Sequence, residues 1–177
     1  MSYTEMFAVV KNGDVVSIGD VHNAFRGAMF IWHKLAEKYF PGNNLMIDLG
    51  QEGSDFWKLI NKDIPVHEKI VFGSTFDKVM VKSENIQRLI DAMDQFIKEN
   101  PDGGNLDEQI RLLKSVIEDD DLIAVCWNQT SVCGSPWRRY IECEHCGNET
   151  DDLRSYNIHK DSGHWFLFEE FDFENNS

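Results

Sequence analysis

Phe7-Ala-Val-Val10-Lys11-Asn12-Gly13-Asp14-Val15-Val-Ser-Ile18 places two apolar, largely β-branched runs on either side of an Asn-Gly pair. Asn and Gly accept the left-handed dihedrals of a two-residue turn whose twist matches that of the flanking strands, so the pattern predicts a β-hairpin. Outward from it the periodicity changes. Asp20 or Asn23 is placed to cap a helix in which Ala24, Ala28, Met29, Trp32, Leu35, Ala36 and Phe40 recur at spacings of three and four, until Pro41-Gly42 ends it. Leu45-Met-Ile47 reads as a short strand, and Phe56-Trp-Lys-Leu-Ile60 fits a helical turn or a strand equally well.

Ile70-Val-Phe72 and Phe76 to Val81 read as two strands, or one bent strand broken by Gly73-Ser-Thr75. Two amphipathic helices follow. Ser83 is placed to cap the first, whose stripe is Ile86, Leu89, Ile90, Met93, Phe96 and Ile97. After Pro101-Asp-Gly-Gly104, Asn105 and Glu108 have the spacing of a capping box for the second, with Leu106, Ile110, Leu113 and Ile117 inward. Leu122 to Trp127, Tyr140-Ile141 and Trp165 to Phe173 are strand-like and aromatic. Strands first, helices in the middle and strands last predict an α+β fold, a mainly antiparallel sheet with helices packed on one face. No repeat or low-complexity linker divides residues 1–177, so one compact domain is expected, with 122–177 a β-rich segment that a metal would stabilise.

That metal is read from Cys143-Glu-His-Cys146-Gly147. With His159 and His164 the spacing is Cys-x2-Cys-x12-His-x4-His, a zinc-knuckle-like segment in which two thiolates and two imidazoles suit zinc. Cys126 and Cys133 form a second candidate pair, since a hairpin at 128–131 would bring them opposite one another, and buried free cysteines with no metal are the plain alternative. A DNA-reading finger is not expected. Thr150 and Tyr156 stand where such a finger has an aromatic and a leucine, and Glu149, Asp151 and Asp152 would face phosphates.

Apolar residues make up 42% of the chain and aromatic residues 12%, enough for a core without disulfides. The first residues lack the basic and apolar pattern of a signal peptide, and no apolar run has the length of a membrane span, so the expected compartment is the cytoplasm, where thiols stay reduced. The net charge of −14 is unevenly spread: residues 1–100 hold 11 Lys or Arg against 14 Asp or Glu, residues 101–177 hold 6 against 17. Such a field repels nucleic acid and anionic membranes and steers basic protein surfaces. Asp119, Asp120, Asp121, Asp151 and Asp152 are the candidate partner-binding carboxylates, with Trp137, Trp165 and Phe168 as candidate apolar anchors; charge that serves solubility alone is the competing reading.

Gly19-Asp20-Val21-His22 resembles the opening block of calcineurin-like metallophosphoesterases, in which a strand delivers Asp and His to a two-metal centre. The resemblance covers four residues, and the blocks that should follow are represented only by Leu49-Gly50-Gln51 and Gly42-Asn43-Asn44, each without its ligand. It implies a metal-dependent phosphoesterase or other hydrolase using Asp20 and His22. Against it, no phosphate loop or nucleophile elbow appears, and a zinc deaminase would have Pro where Glu142 stands. The sequence thus leans away from an enzyme. It favours a small acidic cytosolic binding or inhibitory protein, stabilised by zinc and presenting an acidic surface to a basic partner.

Overall fold

The structure, a computed structural model, describes residues 3–12, 14–22, 28–42, 55–76, 78–101, 106–129, 139–142, 149–152 and 164–173. In chain order its strands are β1 (Tyr3–Val10), β2 (Val15–His22), β3 (Val79–Lys82), β4 (Leu122–Gln129), β5 (Arg139–Glu142), β6 (Glu149–Asp152) and β7 (Trp165–Phe166). Its helices are α1 (Ala28–Tyr39), α2 (Val66–Gly73), α3 (Ile86–Glu99), α4 (Leu106–Val116) and the single turn α5 (Leu167–Glu170). Two 3-10 turns, Trp57–Asn61 and Ser83–Asn85, lead toward α2 and α3.

The expected hairpin is β1–β2. Val10 donates its N–H to the Asp14 carbonyl at 3.0 Å and the Asn12 side-chain oxygen accepts the Asp14 N–H at 2.9 Å, while the Lys11 N–H donates to the Asp121 carbonyl at 2.9 Å. The hairpin forms one end of a five-stranded sheet of order β2-β1-β4-β3-β7. Three of its pairings are antiparallel and β3–β7 is parallel, which makes the sheet mixed. β4 belongs to this sheet, between β1 and β3, while β5 and β6 pair separately.

Strand alternation divides the apolar residues between two faces. Met6, Ala8, Val79, Val81, Val125 and Trp127 join one core with the buried stripes of α1 to α4; Phe7, Val9, Met80, Ala124 and Cys126 form a second cluster. Two bulges adjust the register. Ile18 is the extra residue opposite Met6/Phe7, and Ile123 is the extra residue opposite Val9/Val10. Directly after the first bulge, Gly19 has φ +149°, and a Cβ there would sit 2.7 Å from Leu112 Cδ2 of α4. Only glycine allows both that backbone and that approach.

The two amphipathic helices are α3 and α4, with Ile86, Leu89, Ile90, Met93 and Phe96 buried on one and Leu106, Ile110 and Leu113 on the other. Their expected starts differ. Ser83 opens a 3-10 turn, and the N-cap of α3 is Asn85, whose side chain makes no capping hydrogen bond. Glu108 turns to Arg111, its Oε2 accepting from Arg111 Nε at 3.1 Å, and Asn105 lies outside the described residues.

Two strand expectations are corrected. Ile70-Val-Phe72 is helical, inside α2, and regular strand begins only at Val79; three apolar residues are too few to distinguish a period of 3.6 from one of 2. Trp165 to Phe173 yields two residues of strand and then α5, because Leu167 turns into the helix-side core while Glu169 and Glu170 face solvent. Asp20 lies within β2 and so does not cap α1, and Asn23 and Leu45–Ile47 lie outside the described residues.

Candidate functional site

Three helix ends converge on a charged pocket. α1 contributes Lys38 and Tyr39 from its last turn, α2 contributes His67 and Glu68 from its first, and α3 contributes Glu99 at its end, followed by Asn100. Pro65, with φ −51° and ψ 136°, turns the chain into α2 so that Glu68 sits where the free N–H groups of a helix start favour a carboxylate. The last carbonyls of α3 favour a cation, yet Glu99 lies there too; Asn100 Nδ2 donates to the Phe96 carbonyl at 2.9 Å. Between these ends is a cavity of about 320 Å³ with Leu35 and Phe96 as apolar walls and Lys34, Glu37, Lys38, Glu68 and Glu99 as charged ones.

The Glu68 carboxylate is 2% exposed and is held from two sides. Lys38 Nζ donates to Oε1 at 2.6 Å, and Tyr39 Oη donates to Oε2 at 2.5 Å. The hydrogen bond to Glu68 lifts the Lys38 ammonium above its ordinary range, against the opposing pull of burial. Burial first, and then the Glu68 carboxylate, push the Tyr39 phenol up to about 12, because ionisation would put a second anion beside the first. Beside this trio, His67 Nε2 and Glu99 Oε2 are 3.0 Å apart. Burial works to raise the Glu99 carboxyl, but bonds from His67 and Gln95, with the charges of His67 and Lys38, bring it below the usual range.

Chemically, the site offers one imidazole nitrogen and two carboxylates whose ligand atoms lie within 4.8 Å of one another, a donor set suited to a small divalent cation. It is the one such group among the described residues, and Asp20 is not part of it. Sequence reading passed over it. Its local signal was a run of charges, His67-Glu68-Lys69, directly before Ile70-Val-Phe72, which a strand reading left without a role.

Compared with protein-family models, curated proteins and solved structures, the chain matches none.

The residues singled out from sequence fall elsewhere. Cys143, Cys146, His159 and Cys133 lie outside the described residues, as does Trp137. His164 directly precedes β7, with both ring nitrogens turned away from solvent. Cys126 is a core residue at 0% exposure whose Sγ–H donates to the Phe7 carbonyl at 3.6 Å, and burial pushes its thiol well above the ordinary range. A thiol held protonated in this way is a poor metal ligand. Asp20 is exposed on the edge strand opposite Glu5; the side chain of His22 is not among those described.

Asp119, Asp120 and Asp121 form the exposed turn between α4 and β4. Asp119 Oδ1 accepts the Asp121 N–H at 2.9 Å, and Lys11 reaches across from the hairpin turn, its Nζ 2.5 Å from the Asp120 carbonyl and 3.5 Å from Asp121 Oδ1. Asp151 and Asp152 lie in β6, paired with Tyr140 and Arg139 of β5. Trp165 and Phe168 are half-buried, Trp165 against Phe76 and Phe171, and Phe168 against Phe173 under the Arg88 guanidinium. Among the described residues, no helix is long and apolar enough to cross a membrane.

Proposed function

We propose that this is a small acidic binding or inhibitory protein of the cytoplasm that presents carboxylates to a basic protein partner, with a zinc ion held by Cys143, Cys146, His159 and His164 stabilising its C-terminal segment. The charge asymmetry carries the reading: residues 101–177 hold 17 acidic against 6 basic residues, whereas residues 1–100 are near balance. A one-sided field orients an encounter, which an even spread would not do. The Asp119 to Asp121 turn supports it, being exposed and joined to the hairpin turn by the Lys11 N–H, which donates to the Asp121 carbonyl at 2.9 Å. Exposed ion pairs are each worth roughly 0–1 kcal/mol, so affinity must come from apolar anchors within the acidic rim, where half-buried Trp165 and Phe168 are candidates.

A partner captured from host lysate is purified and its association rate measured across a salt series. The rate should fall steeply with salt, and Asp119→Asn/Asp120→Asn/Asp121→Asn should slow it about tenfold at low salt. A salt-insensitive partner, or one indifferent to the triple substitution, sinks the reading. Elemental analysis of freshly purified protein tests the zinc separately. About one zinc per chain is expected, lost with Cys143→Ser, while a metal-free chain of unchanged stability in chelator would remove zinc from the proposal.

A further inference from the structure

We propose that His67, Glu68 and Glu99 form a site for one divalent metal ion of the manganese or ferrous class, which on binding displaces the Lys38 ammonium from Glu68. Three features point this way. First, His67 Nε2 and Glu99 Oε2 are 3.0 Å apart, the spacing of adjacent ligands each about 2.1 Å from an octahedral ion, so two ligand positions are already set. Second, the site already holds a cation: the Lys38 ammonium sits 2.6 Å from the buried Glu68 Oε1, at the end of a half-exposed side chain that can withdraw into water. Third, the remaining ligand atom is within 4.8 Å of the other two, and the cavity of about 320 Å³ beside Glu68 and Glu99 leaves room for water ligands to complete the shell.

Charge and orientation are consistent with this exchange. Two carboxylates neutralise one divalent ion once Lys38 leaves, and His67 serves as a neutral ligand. Tyr39, 2.5 Å from Glu68 Oε2, keeps the carboxylate oriented with Oε1 toward the ion. Oxygen ligands with a single imidazole favour manganese over thiolate-seeking zinc, so this site differs in ligand chemistry and in residues from the cysteine site proposed above.

The test uses the full chain after chelator treatment, titrated with MnCl2 while the spectrum of the free aqua ion is followed by electron paramagnetic resonance. One manganese per chain should bind, and the bound ion should show nitrogen modulation from one imidazole. His67→Ala and Glu99→Gln should each weaken binding at least about tenfold. Lys38→Met, which removes the competing cation, should tighten it. Cys143→Ser should leave manganese binding unchanged, which keeps this outcome distinct from the fate of the zinc site. Circular dichroism of each variant without metal establishes that it is folded. Absence of binding up to about 1 mM manganese, the weakest affinity worth assigning, overturns the proposal. So does binding insensitive to both His67→Ala and Glu99→Gln, binding abolished by Cys143→Ser, or a Lys38→Met variant that binds no tighter.

Discussion

Replacing Gly19 by Ala should destabilise the protein by about 2–6 kcal/mol, through two effects of similar size. The backbone at φ +149° is a conformation that L-residues rarely adopt, and holding alanine there costs on the order of 1–3 kcal/mol. The added methyl would also lie 2.7 Å from Leu112 Cδ2, and Leu112 is itself buried in the helix-side core, so relief requires either an off-rotamer leucine or a shift of α4 against β2. Overpacking of this kind costs about 1–3 kcal/mol. Urea unfolding followed by tryptophan fluorescence measures the sum, and Leu112→Ala separates its parts. The double variant Gly19→Ala/Leu112→Ala should be more stable than the two single effects predict, because the shortened side chain removes the clash and leaves only the backbone cost. A Gly19→Ala variant within about 0.5 kcal/mol of the parent, or strict additivity in the cycle, would refute the reasoning. The consequence bears on function, since Gly19 opens the stretch that resembles a phosphoesterase block, and the structure gives that glycine a mechanical role between a strand and a helix.

Tyrosine absorbance titration should show one of the four phenols ionising near 12, and Tyr39→Phe should remove that late step. Because the folded state holds this proton more tightly than the unfolded chain, the associated stability is complete below about pH 10 and is lost as pH rises toward 12; an alkaline unfolding curve unchanged by Tyr39→Phe would contradict it. Lys38→Met, measured without metal, should cost about 1–2 kcal/mol, less than the 3–5 kcal/mol of a fully buried pair because Lys38 is half in water while Glu68 is not. Gln109→Ala should cost about 1–3 kcal/mol in thermal unfolding, since the buried Trp127 indole N–H donates to Gln109 Oε1 at 3.1 Å and would lose its acceptor.

The parts of the fold legible in the sequence are those whose residue pattern is long enough to be distinctive on its own. The Asn-Gly turn, the stripes of α3 and α4 and the run Leu122 to Trp127 each carry a local signature, and each corresponds to an element of the expected type. Where the apolar run is short the signature is ambiguous. In α2, the three-residue apolar run Ile70-Val-Phe72 is too short to show a period, and β-branched Ile70 and Val71 tilt the reading toward strand. The candidate site was illegible for a related reason. Lys38, Glu68 and Glu99 are each ordinary helix residues, and only the packing of three helix ends brings them together; Glu68 gains its significance by being 2% exposed, which no local pattern reports. The cysteine motif was conspicuous in sequence, yet most of it lies outside the described residues, whereas Cys126, in the same cysteine-rich stretch, is a core residue bonded to β1.

The placement of β1 beside β4 affects how the protein can be made. Phe7 meets Cys126, 119 residues further along the chain. A ribosome adding about 5–20 residues per second needs on the order of ten seconds to deliver that partner. Throughout that interval the β1–β2 hairpin can form on its own, but its inner edge, with Phe7, Val9 and the backbone groups destined for β4, has nothing to close against. The nascent chain therefore carries an open, apolar strand edge until β4 emerges, making β1 the segment expected to engage a chaperone, or a neighbouring nascent chain, before then.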